Sequence, residues 1–328
     1  MRKSLISVII PCYNEAENIP TLIRRINKAL RNYHYEVILV NDGSTDNTLL
    51  ELELASQGNE QIKYLSLSRN FGHQTALKAG IDYARGDCLV TIDADLQKPP
   101  EHIPAMITLW QKGYDIVTAT CENQGQSTLF KKWSSRVYYR VLSWLADHPV
   151  ISQGADFRLI DRKVADIIRR IQSQNLYLRG IFSWMGFSQT TYVYCEEKRH
   201  AGKTKYGLGK MLSLASNGIT SFSIKPLRLA LALGVFFAFL AFGYGIYAIV
   251  AVFIGKTVQG WASLIASVVF LSGIQLIVLG VIGEYVGKIY RELNQRPLYL
   301  ISKSNLSDPV EDNTINQKLK QERRPVMT

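Results

Sequence analysis

Five short apolar runs in the first third of the chain leave few folds open to it. They are Ser4–Ile10, Tyr35–Val40, Ile62–Leu67, the Leu89–Ile92 run inside Cys88–Pro100, and Asp115–Thr120. Each is rich in β-branched or apolar residues, the composition of a buried strand. Between them lie stretches of helical period. Ile19, Leu22, Ile23, Ile26 and Leu30 recur on one helical face. Further helices are expected to about Gln57, to near Arg85–Asp87, and from Pro99-Pro100 to about Lys112. Strand and helix alternating five times predict an α/β fold, Rossmann-like, with a mainly parallel sheet covered on both faces. Ligands of such sheets bind at the carboxyl ends of the strands. Pro11–Glu15, Asp42 and Asp93–Gln97 all fall there, so three polar loops should converge on one crevice.

The fourth run ends in Asp93 and Asp95, one residue apart. Carboxylates at the edge of a core are costly unless something neutralises them. A divalent cation such as Mg²⁺ or Mn²⁺, with phosphate oxygens completing its shell, would do so. Two acids in a solvated turn, capping the next helix, would fit the same string. The usual nucleotide cradles are missing: no G-x-G-x-x-G follows the first strand, and no G-x-x-x-x-G-K-[ST] occurs. A dehydrogenase or P-loop enzyme is thereby disfavoured. Any diphosphate must be met by metal and basic side chains.

Charge and hydropathy divide the rest of the chain. The 328 residues carry a net charge of +11. Between Lys198 and Gly283 there is no Asp or Glu but eight Lys or Arg, which points to phosphorylated substrates or anionic lipid. Four cysteines without a C-x-x-C pair read as reduced packing residues. Met1 leads almost directly into the first strand, so no signal peptide is expected. Leu229–Ile254 and Thr257–Gly283 are uncharged stretches of 26 and 27 residues. Each is long enough to cross a hydrocarbon core of ~30 Å. Their cationic outer flanks, Lys225, Arg228, Lys288, Arg291 and Arg296, place both termini in the cytoplasm. With membrane spans present, nucleic acid is the least fitting partner. Gly243, Gly245, Gly273, Gly280 and Gly283 would permit close helix packing in a homo-oligomer.

Two amphipathic helices are expected at the membrane surface. One covers residues 127–147, with Arg136 on its basic stripe; the other covers 207–226. Gly154–Arg158 is read as the start of a helix to about Ile171. Arg199, Lys203 and Lys205 lie within seven residues around Gly202, as in a phosphate clamp or a solvated basic loop. From about Ser302 the tail is polar, and mobility is expected of it. The domain plan is then 1–206 an α/β domain, 207–226 juxtamembrane, 227–286 two spans and 287–328 tail.

Five motifs resemble a known family. They are Pro11-x-Tyr13-Asn14-Glu15, Val40-Asn41-Asp42-Gly43-Ser44-x-Asp46, Asp93-Ala94-Asp95-Leu96-Gln97-x-Pro99-Pro100, Gly154-x-x-Phe157-Arg158 and Arg199-x-x-Gly202-x-Thr204-Lys205-Tyr206. Their order and spacing resemble the polyprenyl-phosphate glycosyltransferases, the dolichol-phosphate-mannose-synthase-like branch of the inverting family 2 enzymes, with a GT-A fold. The two carboxy-terminal spans are similar to those of bacterial members that glucosylate undecaprenyl phosphate.

The resemblance implies a nucleotide-sugar donor, UDP-glucose, and a polyprenyl phosphate acceptor. It implies that Pro11, Tyr13, Asn14, Glu15, Asp42 and Asp93 bind the nucleotide. Asp93, Asp95 and Gln97 would hold the metal on the diphosphate. Arg136, Arg199, Lys203 and Lys205 would meet phosphate groups. Asp95 and Asp156 are the catalytic candidates; Asp156 could orient the acceptor, take a proton, or only cap a helix. One departure stands out: some relatives carry an arginine after the fifth strand, where this chain has Thr118-Ala119-Thr120-Cys121. No motif reads glucose against mannose or an aminosugar.

Overall fold

The computed structural model describes residues 4–121, 156–174, 176–194, 225–254, 260–294 and 296–306. The chain divides into two compact units, and residues 297–306 return to the first of them. The interfacial helices expected at 127–147 and 207–226 lie, almost wholly, outside the described residues.

Unit one opens with β1 (Leu5–Cys12), α1 (Ile19–Ala29), β2 (His34–Asn41), α2 (Thr48–Ser56), β3 (Ile62–Leu67), α3 (His73–Tyr83) and β4 (Cys88–Thr91). A 3₁₀ turn at Pro100–His102 leads into α4 (Ile103–Gln111) and β5 (Ile116–Cys121). The strand–helix alternation is as the apolar runs predict. Val8, Ile9 and Ile10 on β1 are all fully buried, as a strand covered on both faces requires. Below one face Ile19, Leu22, Ile23 and Ile26 of α1 pack at i, i+3, i+4 and i+7. On the other, α3 comes so close that a Cβ on Gly80 would sit 2.3 Å from Ile9 Cγ2.

The order of strands departs from a simple alternation. It runs β7–β5–β6–β4–β1–β2–β3–β8, with β6 at Arg158–Asp161 and β7 at Gln189–Tyr194. β6 is antiparallel to both β4 and β5 and lies between them. Of the stretch read as a helix start at Gly154–Arg158, the described residues Asp156–Arg158 are not helical, and Arg158 opens a strand instead. Phe157, Arg158, Leu159 and Ile160 are all buried, which suits a central strand. The helix α5 (Arg162–Arg170) starts only after Asp161, whose carboxylate caps it by accepting from Lys163 N–H at 2.9 Å. A short helix, α6 (Leu178–Trp184), precedes β7.

The start of the tail expected to be mobile, residues 302–304, is paired into the sheet instead. Ile301–Ser304 form β8, antiparallel to β3, covering what would otherwise be a bare sheet edge. Ser68 N–H donates to Leu300 O at 2.8 Å, and Tyr64 N–H to Asn305 Oδ1 at 2.7 Å. The Tyr299 hydroxyl reaches Asp82, itself paired with the buried Lys78.

Unit two contains α7 (Lys225–Phe253) and α8 (Trp261–Leu293), with Phe237 and Phe270 packed edge to face at 6.1 Å. Leu231, Phe239 and Phe242 of α7 and Ile277 of α8 are exposed. Among the described residues one segment, Phe270–Leu293 with mean hydropathy 1.6, is long and apolar enough to cross a membrane. Ala230–Tyr244 is a shorter apolar segment of α7.

Candidate active site

The carboxyl ends of β1, β2 and β4 lie side by side, in register Pro11↔Val40, Cys12↔Asn41 and Ile9↔Thr91. Because β6 runs the other way, its start meets the end of β4, with Thr91 opposite Arg158. That reversal brings Asp156 to the rim that also holds Asp93. The Thr91 hydroxyl locks the arrangement by donating to the Asp156 carbonyl at 2.6 Å.

On the β1–β2–β3 side, each loop is tied to the next through hydrogen bonds to backbone. Asn14, at a left-handed φ of 55°, takes its N–H to Ser44 Oγ at 3.0 Å and accepts from Thr45 N–H at 2.9 Å. Glu15 N–H donates to Thr48 Oγ1, and its carboxylate accepts from Asn18. Asp42 is 3 % exposed, and its two oxygens accept from Phe71 N–H at 2.7 Å and Gly72 N–H at 3.0 Å. Burial pushes the Asp42 carboxyl above its ordinary value even against those two donors. Gly43, at φ +62°, lies against the same loop: a Cβ there would be 2.3 Å from the Arg69 carbonyl carbon. Tyr13, next to Asn14 in the first loop, is exposed.

The β4–β6 side is built from charge. Arg179 of α6 grips Asp156 with both arms of its fork, Nε–Oδ1 at 2.9 Å and Nη2–Oδ2 at 2.7 Å. His73, first residue of α3, places Nε2 3.2 Å from Asp156 Oδ2 and 3.6 Å from Asp93 Oδ1, in line with neither oxygen for a good hydrogen bond. Burial alone would raise the Asp156 carboxyl; His73 and Arg179 outweigh it and hold that carboxyl well below the usual range. His73 is raised: burial opposes its charge, but Asp156 and Asp93 favour it more. Arg158 is buried, with its guanidinium 4.7 Å above the Phe182 ring. Desolvation, partly offset by Asp156, brings it down to about 10.

After β4, burial alternates: Asp93, Asp95 and Gln97 are partly exposed while Ala94, Leu96 and Lys98 are buried. Leu96 at φ 60° and the Gln97 N–H on Asp95 Oδ1 at 3.2 Å shape this turn. The Lys98 ammonium pairs with Asp93 Oδ2. Asp93 Oδ1 is buried without a hydrogen-bond donor among the described residues.

The orphaned Asp93 Oδ1, with Asp95 in the same turn, would fit a divalent ion here, while Lys98 already occupies the other Asp93 oxygen. Among the described residues, though, no group of three or more His, Cys, Asp or Glu could hold one unaided. Ligands from a bound phosphate would have to complete the shell, as is usual for Mg²⁺.

Of the residues expected from sequence, Asp42, Asp93, Asp95, Gln97 and Asp156 share this sheet edge with Pro11, Tyr13, Asn14 and Glu15. Arg136, Arg199, Lys203 and Lys205 lie outside the described residues. His73, Lys98, Arg158 and Arg179 were not singled out from the sequence as site residues. The flag for Lys98 is its place inside the Asp93–Pro100 string, and for His73 the glycine that precedes it at a helix start. Nothing local marks Arg179, which is 23 residues from its partner.

Residues 7–183 match the family described as "Glycosyl transferase family 2". The chain belongs to this family, and it is a glycosyltransferase. Residues 225–289 match a second description, "GtrB C-terminal hairpin". The chain is 44 % identical over 301 residues to the uncharacterized glycosyltransferase YkcC of Bacillus subtilis (strain 168), covering 91 % of this chain and 93 % of that one. It is 38 % identical over 307 residues to the SfII prophage-derived bactoprenol glucosyl transferase of Shigella flexneri, covering 93 % and 99 %. Among solved structures, glucosyl-3-phosphoglycerate synthase from Mycobacterium tuberculosis, crystallised with Mn²⁺, UDP-glucose and phosphoglyceric acid, is similar with a TM-score of 0.48 at 17 % identity, covering 66 % of this chain and 78 % of that one.

Proposed function

We propose that this glycosyltransferase moves glucose from UDP-glucose to undecaprenyl phosphate in the cytoplasmic membrane, with inversion at the anomeric carbon. The observation that carries the reading is the meeting of Asp93, Asp95 and Asp156 beside Asp42 at one sheet edge, in a chain that continues into an apolar helical hairpin. Relatives named bactoprenol glucosyl transferases support the choice of sugar and lipid. In the reaction an acceptor phosphate oxygen bonds to the anomeric carbon while the carbon–oxygen bond to the nucleoside diphosphate breaks. The electron pair leaves with the diphosphate.

Tyr13, Asn14, Glu15 and Pro11 form the donor seat with Asp42, whose grip on Phe71 and Gly72 sets the loop beyond β3. Asp93, Asp95 and Gln97 would hold Mg²⁺ or Mn²⁺. Such an ion supplies Lewis-acid stabilisation of charge developing on the leaving diphosphate. A phosphate monoester is largely ionised at pH 7, since its second pKa is about 6, so no strong base is needed. That agrees with an Asp156 held ionised by Arg179. It is better suited to orienting groups than to accepting a proton near neutrality. Arg136, Arg199, Lys203 and Lys205 are assigned to the acceptor or donor phosphates. Both α7 and α8 are assigned as spans, with catalytic unit and termini cytoplasmic, and homo-oligomers are expected.

Membranes carrying the protein, incubated with labelled UDP- and GDP-sugars in turn, test the reading. Label from UDP-glucose should enter organic-extractable lipid. Transfer from GDP-mannose or a UDP-aminosugar instead would replace the donor, and label in no lipid would overturn the reaction.

A further inference from the structure

Among the charged groups at the donor site, one cation is unusually placed. Lys98 lies in the same turn as the candidate metal ligands, and its side chain is only 10 % exposed. A buried ammonium needs an anion, and among the described residues Asp93 Oδ2 is its partner. The two residues after Lys98 hold it in place. Pro99 and Pro100 restrict the backbone, and His102 N–H closes the 3₁₀ turn on Pro99 O at 3.2 Å. Asp93 keeps Oδ1 without a hydrogen-bond donor among the described residues, 3.6 Å from His73 Nε2.

We propose that Lys98 is a built-in counter-ion of the metal site. It keeps divalent cations off the nucleotide-free protein and so couples metal binding to arrival of the nucleoside diphosphate. The inference rests on the donor-site reading above and deepens it. A dication placed on Asp93 must sit within a few ångströms of the ammonium, where like charges repel strongly at reduced dielectric. Among the described residues the acids opposing that repulsion are Asp93 and Asp95, since nearby Asp156 is already held by Arg179 and His73. A diphosphate brings at least two further negative charges, which offset the ammonium and supply the missing oxygen ligands. Linkage makes the effect reciprocal: the nucleotide tightens the metal by the factor by which the metal tightens the nucleotide. Free metal would then leave the site in its Lys98–Asp93 form, and the metal would load with the donor.

A purely structural ion pair would not affect this coupling, and that separates the two roles. Mn²⁺ binding to the purified full chain in detergent is read from loss of the electron paramagnetic resonance signal of free Mn²⁺, with and without UDP. In the unaltered protein UDP should tighten Mn²⁺ by about 10- to 100-fold, the ordinary span of a coupling free energy. Lys98→Gln keeps a hydrogen-bond donor but removes the charge; it should bind Mn²⁺ alone roughly tenfold tighter and lose most of the coupling. Lys98→Arg should behave like the unaltered protein. The proposal is overturned if Lys98→Gln binds Mn²⁺ alone no more tightly than the parent. It is equally overturned, with no variant needed, if UDP leaves Mn²⁺ affinity of the parent unchanged. Mn²⁺ that binds in no protein even with UDP would overturn the metal reading itself, and this proposal with it.

Discussion

The two sides of the catalytic rim hold their polar groups by different means. Around β1, β2 and β3, side chains meet backbone: Asp42 on Phe71 and Gly72, Asn14 on Thr45, Thr48 on Glu15. Around β4 and β6, charge meets charge: Arg179 on Asp156, His73 between two carboxylates, Lys98 on Asp93. Backbone partners cannot leave without unfolding a loop, so the first side is a rigid seat. Ion pairs can exchange partners when a metal, a diphosphate or a lipid phosphate enters. On the proposed reading, the side that meets incoming charge is the one made of charges.

The sharpest way to break this contrast is to remove one ion-pair partner. Arg179→Met leaves the largely buried Asp156 carboxylate with His73 alone, at a cost below the roughly 3–5 kcal/mol of a fully buried unpaired charge. Sugar transfer should fall on the order of 100-fold or more in kcat, with donor KM little changed, and Arg179→Lys should restore only part of it. A kcat that stays within twofold would remove Asp156 from the transfer side.

The seat is tested through its geometry. Gly43→Ala must adopt φ +62° and place Cβ against Arg69 and Asn70 backbone. A loss of about 2 kcal/mol or more is expected by urea unfolding in detergent, through strain and forced loop displacement. Donor KM should rise more than kcat falls. An unchanged midpoint would mean the two loops are not in contact as described.

Acid titration gives a smaller, signed effect. The Asp156 carboxyl is depressed, so its stabilisation is present above the ordinary value of about 3.9 and is lost as pH falls through the folded value. The Asp42 carboxyl is raised, so the folded protein takes up that proton first and Asp42 gains stability as pH falls. Asp156→Asn should therefore flatten the decline of stability below about pH 4, and Asp42→Asn should steepen the slope just above it. Equal slopes in both variants would contradict the division of the rim.

Much of this was legible in the sequence because it is local. The strands β1 to β4 are apolar runs, and Asp93-Ala94-Asp95-Leu96-Gln97 lies in one turn. What was not legible depends on distant partners. β6 has four residues, too few for a period, and is a strand only because β4 and β5 flank it. β8 is polar on its face, and only its pairing with β3 makes it a strand rather than a tail. His73 meets Asp156 from 83 positions away, on a reversal of strand direction that no run of residues announces.

The central claim is that the acids after β4 serve transfer to a lipid phosphate. Asp95→Asn tests it most directly, because Asp95 is partly exposed and the substitution keeps its shape. With unchanged circular dichroism, radiolabelled sugar passing from UDP-glucose into organic-extractable lipid should fall to background. Transfer at the parental rate in that folded variant would contradict the account.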